Sequence, residues 1–393
     1  MSSKIIINKK NAESYIVTAI IGYCVLARFI PYMDNFIIKA LLVMYAIVYV
    51  IKRVKMIPLF FVGIISFCAI ALFFSGFNIE NRILIKHYIF TFNAFFYIFM
   101  PPLLFMVERD PKKRLRELYV LSYFIVTILV LVLVAGGMSG EEYDYISLGS
   151  ATLPYWAIIA QDTFINHSSK SAVVGIISGF ILCLFASRGV GVSILAILIV
   201  YICIYTNLKH KIIVAFLGVF VVMLSSNIEA ILMWIYQFFL NKGITIRFLY
   251  TFLFRNQISA FSMSSGRTEI WELAINAIKD NPLIGYGVMG DRKPLASYAL
   301  NLWPHNMEIQ IFMQFGVIIG TIIILFLVYI AVRMLKSNVS WKYLFIPYFF
   351  SSIFFLQISS EYYLYVNFWI SIMIFSAYIS DSNRQKKRKF VKE

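Results

Sequence analysis

The sequence predicts an all-α polytopic integral membrane protein of about twelve transmembrane helices, with one large extracytoplasmic loop before the tenth span. Three observations carry that prediction. Of 393 residues, 61% are hydrophobic and 14% are charged, with a mean hydropathy of +0.81; a soluble domain carries about a quarter charged residues. Apolar runs of spanning length recur from end to end. The densest basic groups border those runs: Lys52-Arg53-Val54-Lys55, Lys112-Lys113-Arg114 with Arg116, Lys209-His210-Lys211, Arg333 with Lys336, and Lys386-Lys387-Arg388-Lys389. No soluble fold of this size has interior enough for so much apolar side chain. Lipid in turn forces the backbone into helices, because an unpaired amide in hydrocarbon costs several kcal/mol.

In chain order the spans are expected at 14–33, 36–51, 57–77, 84–106, 118–135, 150–166, 170–186, 190–206, 212–226, 307–332, 343–358 and 363–380. With the N-terminus inside, an even number of crossings returns every basic group to the cytoplasm together with both termini. The opposite loops differ in kind: Pro31 to Asn35, Phe77 to Arg82, and Gly137 to Ser150 with Glu141, Glu142 and Asp144. The long stretch 227–305 also falls outside, and its arginines do not contradict this, since long translocated loops obey the charge rule poorly. The expected organisation is therefore a membrane bundle over 1–226, the large loop over 227–305, three further spans over 306–380, and a basic tail over 381–393. The first span follows Lys4, Lys9 and Lys10 with no small-residue cleavage site, so it reads as a retained anchor.

The formal charge of +16 resembles a nucleic-acid binder's, but no basic groove with interleaved aromatics lies outside the spans, and no nucleic-acid partner is expected. Cys24, Cys68, Cys183 and Cys203 all lie in apolar segments without metal-ligand spacing and read as small hydrophobes. Neither a metal nor a cofactor is expected.

Loops as long as 227–305 usually carry function. Within it, residues 268–280 place Ile270, Trp271, Ala274, Ala277 and Ile278 on one helical face. Glu269 and Glu272 stand in the first turn and Lys279 in the last, which suits the helix dipole; Asn281-Pro282 stops the helix. This amphipathic helix is expected along the membrane surface or against the mouth of the bundle. Pro282-Leu-Ile-Gly-Tyr-Gly287 follows as a glycine-bearing turn that does not match a nucleotide-binding loop. Trp303-Pro304-His305-Asn306 closes the loop, and Glu308 lies one turn into the next span.

Gly266-Arg267-Thr-Glu-Ile-Trp271, then Asn281-Pro-Leu-Ile-Gly-Tyr-Gly287, then His305-Asn306 and the helix through Gly316 and Gly320 resemble the O-antigen polymerase and O-antigen ligase superfamily. Ser187-Arg188-Gly189, in a tight turn between two spans, resembles that family's second signature. The resemblance implies a glycosyltransferase type C-like membrane fold in the bacterial inner membrane. It implies transfer of a saccharide from undecaprenyl pyrophosphate to an acceptor hydroxyl at the outer face, without nucleotide-sugar or metal. A chain-length regulator and a flippase of the same pathway are the implied protein partners.

The residue chemistry fits that implication. A pyrophosphate leaving group needs fixed positive donors, and arginine supplies them, so Arg188 and Arg267 are the expected diphosphate clamp. His305 is the one histidine expected on the outer side, suited to orienting the acceptor hydroxyl or taking its proton. Glu308 either orients His305 or binds sugar. Asn306 and Tyr286 are further expected substrate contacts; Tyr298 and Trp303 are aromatics able to stack on sugar rings. Arg247 and Arg255 read equally as sugar-phosphate contacts or as snorkelling side chains.

Structural readings stand beside these: Arg188 as an interfacial arginine, Arg267 as a partner of Glu269 or Glu272, His305 as a helix-start residue bonded to backbone. Glu361 with Tyr362 and Tyr363 reads as an aromatic-belt turn. Among functions, a polymerase of lipid-linked repeat units leads and a ligase attaching finished glycan to lipid A-core follows. A lipid-linked oligosaccharide flippase or transporter is the rival of another class. It should show internal repeats or charges deep at the midplane of several spans, and neither stands out.

Overall fold

A computed structural model describes residues 9–30, 33–53, 79–139, 144–207, 225–243, 249–250, 253–254, 267–296 and 302–390. Among the described residues all regular structure is helical. The expected third span, residues 212–224 of the expected ninth, Arg247, Arg255 and Tyr298 lie outside them.

The helices are α1 (Lys9–Leu26), α2 (Phe36–Arg53), α3 (Ile79–Tyr88), α4 (Phe92–Met106, with a π turn at Phe95–Phe99), α5 (Pro111–Ser139), α6 (Tyr145–Asn166) and α7 (Ser169–Phe185). There follow α8 (Arg188–Tyr205), α9 (Ser225–Leu240), α10 (Arg267–Asp280), α11 (Arg292–Leu295), α12 (Met307–Leu335), α13 (Trp341–Leu356) and α14 (Val366–Phe390). Three of them, α5 over Pro111–Gly136, α8 and α12, are long and apolar enough to cross a membrane by length and composition; α1, α4, α7 and α13 contain shorter apolar helices. Exposed faces are apolar, as on α7 (Val173, Ile176, Ile177, Phe180) and α8 (Val192, Leu195, Ile199), the surface expected of helices solvated by lipid.

Local chemistry explains where the elements depart from expectation. The expected fourth span, 84–106, is two helices. Thr91 has extended backbone and its hydroxyl accepts from Ala94 N–H (3.0 Å), a side-chain cap that starts α4 afresh at Phe92. The 227–305 stretch holds a second long helix, most of α9, besides α10. Arg114, expected as one of several loop charges, is 1% exposed: its guanidinium pairs with Glu108 (2.7 Å) and Glu117 (3.0 Å) and donates to Thr18. Ser14 and Thr18 of α1 donate to the same Glu117 oxygen (2.8 and 2.7 Å), so a basic-cluster residue rivets α1 to α5.

Contacts divide the chain into two compact units, one of residues 1–117 with 267–393, the other of 118–266. In the first, α14 packs on α4 and α13, and α12 on α10 and α13. Its core is aromatic: Tyr348 meets Phe105 edge-on (5.3 Å) and Phe355 stacks on Tyr365 (5.4 Å). In the second unit α6, α7 and α8 pack mutually, and Trp156 donates to Gly175 C=O (2.9 Å) between α6 and α7.

Candidate active site

The site of the first unit is built where α12 breaks. Gly316 has φ 72° and ψ 175°, a conformation that ends one helix and starts another. Such a break frees backbone groups, and the Pro282–Gly287 turn takes them up. Tyr286 N–H donates to Met313 C=O (2.8 Å), Gly287 N–H to Gln314 C=O (2.9 Å), and Val317 N–H to Pro282 C=O (2.7 Å). The approach is backbone against backbone: a Cβ on Gly285 would stand 2.6 Å from the Gly316 nitrogen, and one on Gly316 2.5 Å from the Leu283 carbonyl carbon. The glycine turn therefore serves as a splint for the broken helix.

Above this splint α10 lies on the first half of α12. Ile270, Ala274 and Ala277 are buried with Leu295 and Met313, so the apolar face of α10 belongs to the bundle rather than to a membrane surface. Its N-terminal turn meets the segment that precedes α12. Trp271 Nε1 donates to Pro304 C=O (2.8 Å). His305 is held with φ 54°, a left-handed conformation uncommon outside glycine. Its ring lies 4.6 Å from that of Trp303. Burial pushes the imidazole down to about 4, and the charge of Arg267 pushes it the same way. His305 Nδ1 and Trp303 Nε1 are both buried without a hydrogen-bond partner.

Asn306 is the N-cap of α12: its Oδ1 accepts from Ile309 N–H (3.0 Å), and its Nδ2 donates to Gln357 Oε1 (3.1 Å). Gln357 Nε2 donates in turn to Glu308 Oε1 (2.7 Å). Both ends of the Asn306 amide are thus engaged within the protein, and Glu308 is tied to α13's end rather than to His305 Nδ1.

A buried polar network supports this turn. Arg292 Nη2 pairs with both oxygens of Glu361 (2.7 and 2.9 Å) and donates to Tyr363 Oη at 3.4 Å. Its guanidinium lies over Tyr88 (5.2 Å) and Trp303 (5.8 Å). Asp291, fully buried, accepts from Gln310 Nε2 (3.0 Å) and Gln314 Nε2 (2.7 Å), and Tyr362 donates to Gln314 Oε1 (2.6 Å). Burial raises the Asp291 carboxyl against the pull of both glutamines and Arg292. It pushes Glu361 up to about 8, Arg292 opposing. The sequence reading missed these residues. A signal was present in Gln310 and Gln314, two amides one turn apart on the same face of an apolar span.

Residues 173–325 match the O-antigen ligase family model. The match agrees with the resemblance to the O-antigen polymerase and ligase superfamily. No curated protein matches the chain. The O-antigen ligase-type stretch runs from α7 into α12 and contains Arg188, Arg267 and His305. With the apolar helices it points to a membrane protein with glycosyltransferase-like activity, of O-antigen polymerase or ligase class.

Of the expected site residues in that stretch, the structure brings Arg267 and His305 within electrostatic reach, with Asn306 and Glu308 following on the same chain turn. Tyr286 packs at the edge of the α10–α12 core and uses its backbone in the splint. Arg188 opens α8 in the second unit, exposed, after Ser187, whose carbonyl accepts from Val190 N–H (2.9 Å). Among the described residues no three His, Cys, Asp or Glu side chains group as a metal site would require. The arrangement around His305 offers chemistry of one kind: a neutral, sheltered imidazole within electrostatic reach of a fixed positive charge.

Proposed function

We infer that this protein is a polymerase of lipid-linked oligosaccharide repeat units. It moves glycan from undecaprenyl pyrophosphate to a hydroxyl of another lipid-linked unit at the outer face of the inner membrane. The observation that carries this reading is the placement of Arg267 beside His305 within the family-matched stretch. The acceptor oxygen attacks the anomeric carbon, the bond from that carbon to the diphosphate breaks, and the leaving diphosphate takes the electron pair. His305 accepts the hydroxyl proton. Arg267 contacts the diphosphate, where charge develops. A base held near 4 is weak in the empty site, but an anionic donor placed beside it stabilises the imidazolium and raises its pKa. Base strength then arrives with the donor.

For Arg188 a diphosphate contact is proposed from its motif alone, and for Arg247 and Arg255 sugar-phosphate contacts on the same footing. The twelve-span topology with both termini cytoplasmic belongs to this reading, supported by the border placement of the basic groups. So do a flippase that supplies the donor and a chain-length regulator. A ligase that transfers finished glycan to lipid A-core is the second reading, favoured by the description of the matching family model.

A glycan gel of cells lacking the gene tests both. Core bearing a single repeat unit, restored to a ladder by wild type and not by Arg267→Ala, supports the polymerase. Long polymer stranded on its carrier lipid supports the ligase, and an unchanged ladder overturns both.

A further inference from the structure

The second unit contains an apolar helix that the transfer chemistry does not use. In α9, Tyr236 is buried together with Leu184, and Phe239 meets Phe185 edge-on at 6.0 Å, so α9 is docked against the last turn of α7. Its other face is open. Trp234 is 68% exposed and Phe238 47% exposed, and the two rings stack at 6.0 Å, one turn apart. Lys242, just past the helix end, holds its ammonium 4.9 Å from the Phe238 ring centroid.

We propose that α9 is an interfacial helix, seated with its Trp234–Phe238 face at the boundary between lipid headgroups and acyl chains. The height of α9 along the α7–α8 hairpin argues for this occupant. The hairpin exposes apolar side chains along both arms, and that surface ends at Arg188, an exposed charge in the turn. The hydrocarbon border therefore passes near the turn, and α9 is packed on the last residues of α7, just before it. Indole and lysine are the side chains that such a border selects: an apolar body in the acyl layer with a polar tip among headgroups. Of the two positions expected for α10 from sequence, the membrane surface or the mouth of the bundle, its buried apolar face fits the second.

The test uses the full chain in bilayer nanodiscs, with the Trp234 signal taken as wild type minus Trp234→Phe. Quenching by phosphatidylcholine brominated near the headgroup should exceed quenching by lipid brominated near the chain end about 2-fold or more, with weak quenching by aqueous acrylamide. Phe238→Trp in the Trp234→Phe background moves the reporter one turn and should behave alike. Stronger quenching by deep bromine would make α9 a membrane-embedded segment. Dominant acrylamide quenching would leave the face in water, and protection from all three quenchers would mean protein covers it. Each of these overturns the proposal.

Discussion

The Arg292 guanidinium pairs with both oxygens of the Glu361 carboxyl group and lies over the Trp303 ring, itself tilted against His305. A buried guanidinium–carboxyl contact thus stands behind the imidazole. Arg292→Ala leaves the buried Glu361 carboxyl without its donor and should destabilise the protein by about 1–3 kcal/mol. Glu361→Gln keeps an acceptor and should cost less. Thermal unfolding followed by intrinsic fluorescence in nanodiscs orders the two variants, and equal Tm values for wild type and Arg292→Ala would refute the prediction.

Glu361 also predicts a pH trend. Its native carboxyl is raised to about 8 from an ordinary 4.5, so between those values the native state binds more protons than the unfolded one. The Glu361 contribution is full below about 4.5 and is lost as pH rises through about 8. Tm measured from pH 6 to pH 9 should fall more steeply for wild type than for Glu361→Gln.

His305 has the opposite sign. Its native pKa of about 4 lies below the ordinary 6.5, so its contribution to stability is present above 6.5 and lost as pH falls through about 4. The profile of kcat/KM, which reports the free enzyme, should have no break at 6–7 from this group and an acid limb near 4. Arg267→Ala removes a charge that depresses the imidazole and should move that limb upward, while Arg267→Lys should not. His305→Gln should lower transfer by about 10²-fold or more. A limb that ignores Arg267→Ala would separate the two residues.

The Gly316 break and its splint predict unequal glycine tolerance. Gly316→Ala and Gly285→Ala each place a Cβ against backbone that has no side chain to yield, and both start from positive φ. Each should cost about 1–3 kcal/mol or more. Gly243→Ala, also at positive φ but with nothing near its Cβ, should cost less. Comparison of Tm values for the three variants decides it.

Elsewhere in the same unit, Arg114→Ala should lower stability by about 3–5 kcal/mol, because Glu108 would remain buried without its cation and Glu117 would keep only the cation of Lys113, at 3.9 Å. Lys112→Ala, its neighbour in the same basic cluster, should fall within about 0.5 kcal/mol of wild type. Similar losses for both would mean that the cluster acts by charge alone.

The helical class, the α10 helix and the His305 turn were legible because each follows from local pattern. Period, caps and a Pro stop mark α10, and Trp303-Pro304-His305-Asn306 carries the cap of the next helix. What was not legible depends on partners distant in sequence. Arg114 reads as one more loop charge until Ser14, Thr18 and Glu117 surround it. Glu361 reads as a belt residue until Arg292 is placed against it. Thr91 splits an apolar run because a hydroxyl cap outcompetes continuation, and hydropathy is blind to that. The glycine turn was seen as a turn, but its use as a splint requires the break at Gly316, 29 residues after Gly287.

The same break has a consequence for how the chain enters the bilayer. Beyond Gly316 the helix from Val317 to Leu335 is about 28 Å long, close to the thickness of the hydrocarbon layer by itself. The nine residues of α12 before Gly316, with Gln310 and Gln314, need never be threaded through oil. During synthesis the insertion machinery can treat 317–335 as a complete stop-transfer segment, while the His305 end stays in water until the earlier-made glycine turn closes on it.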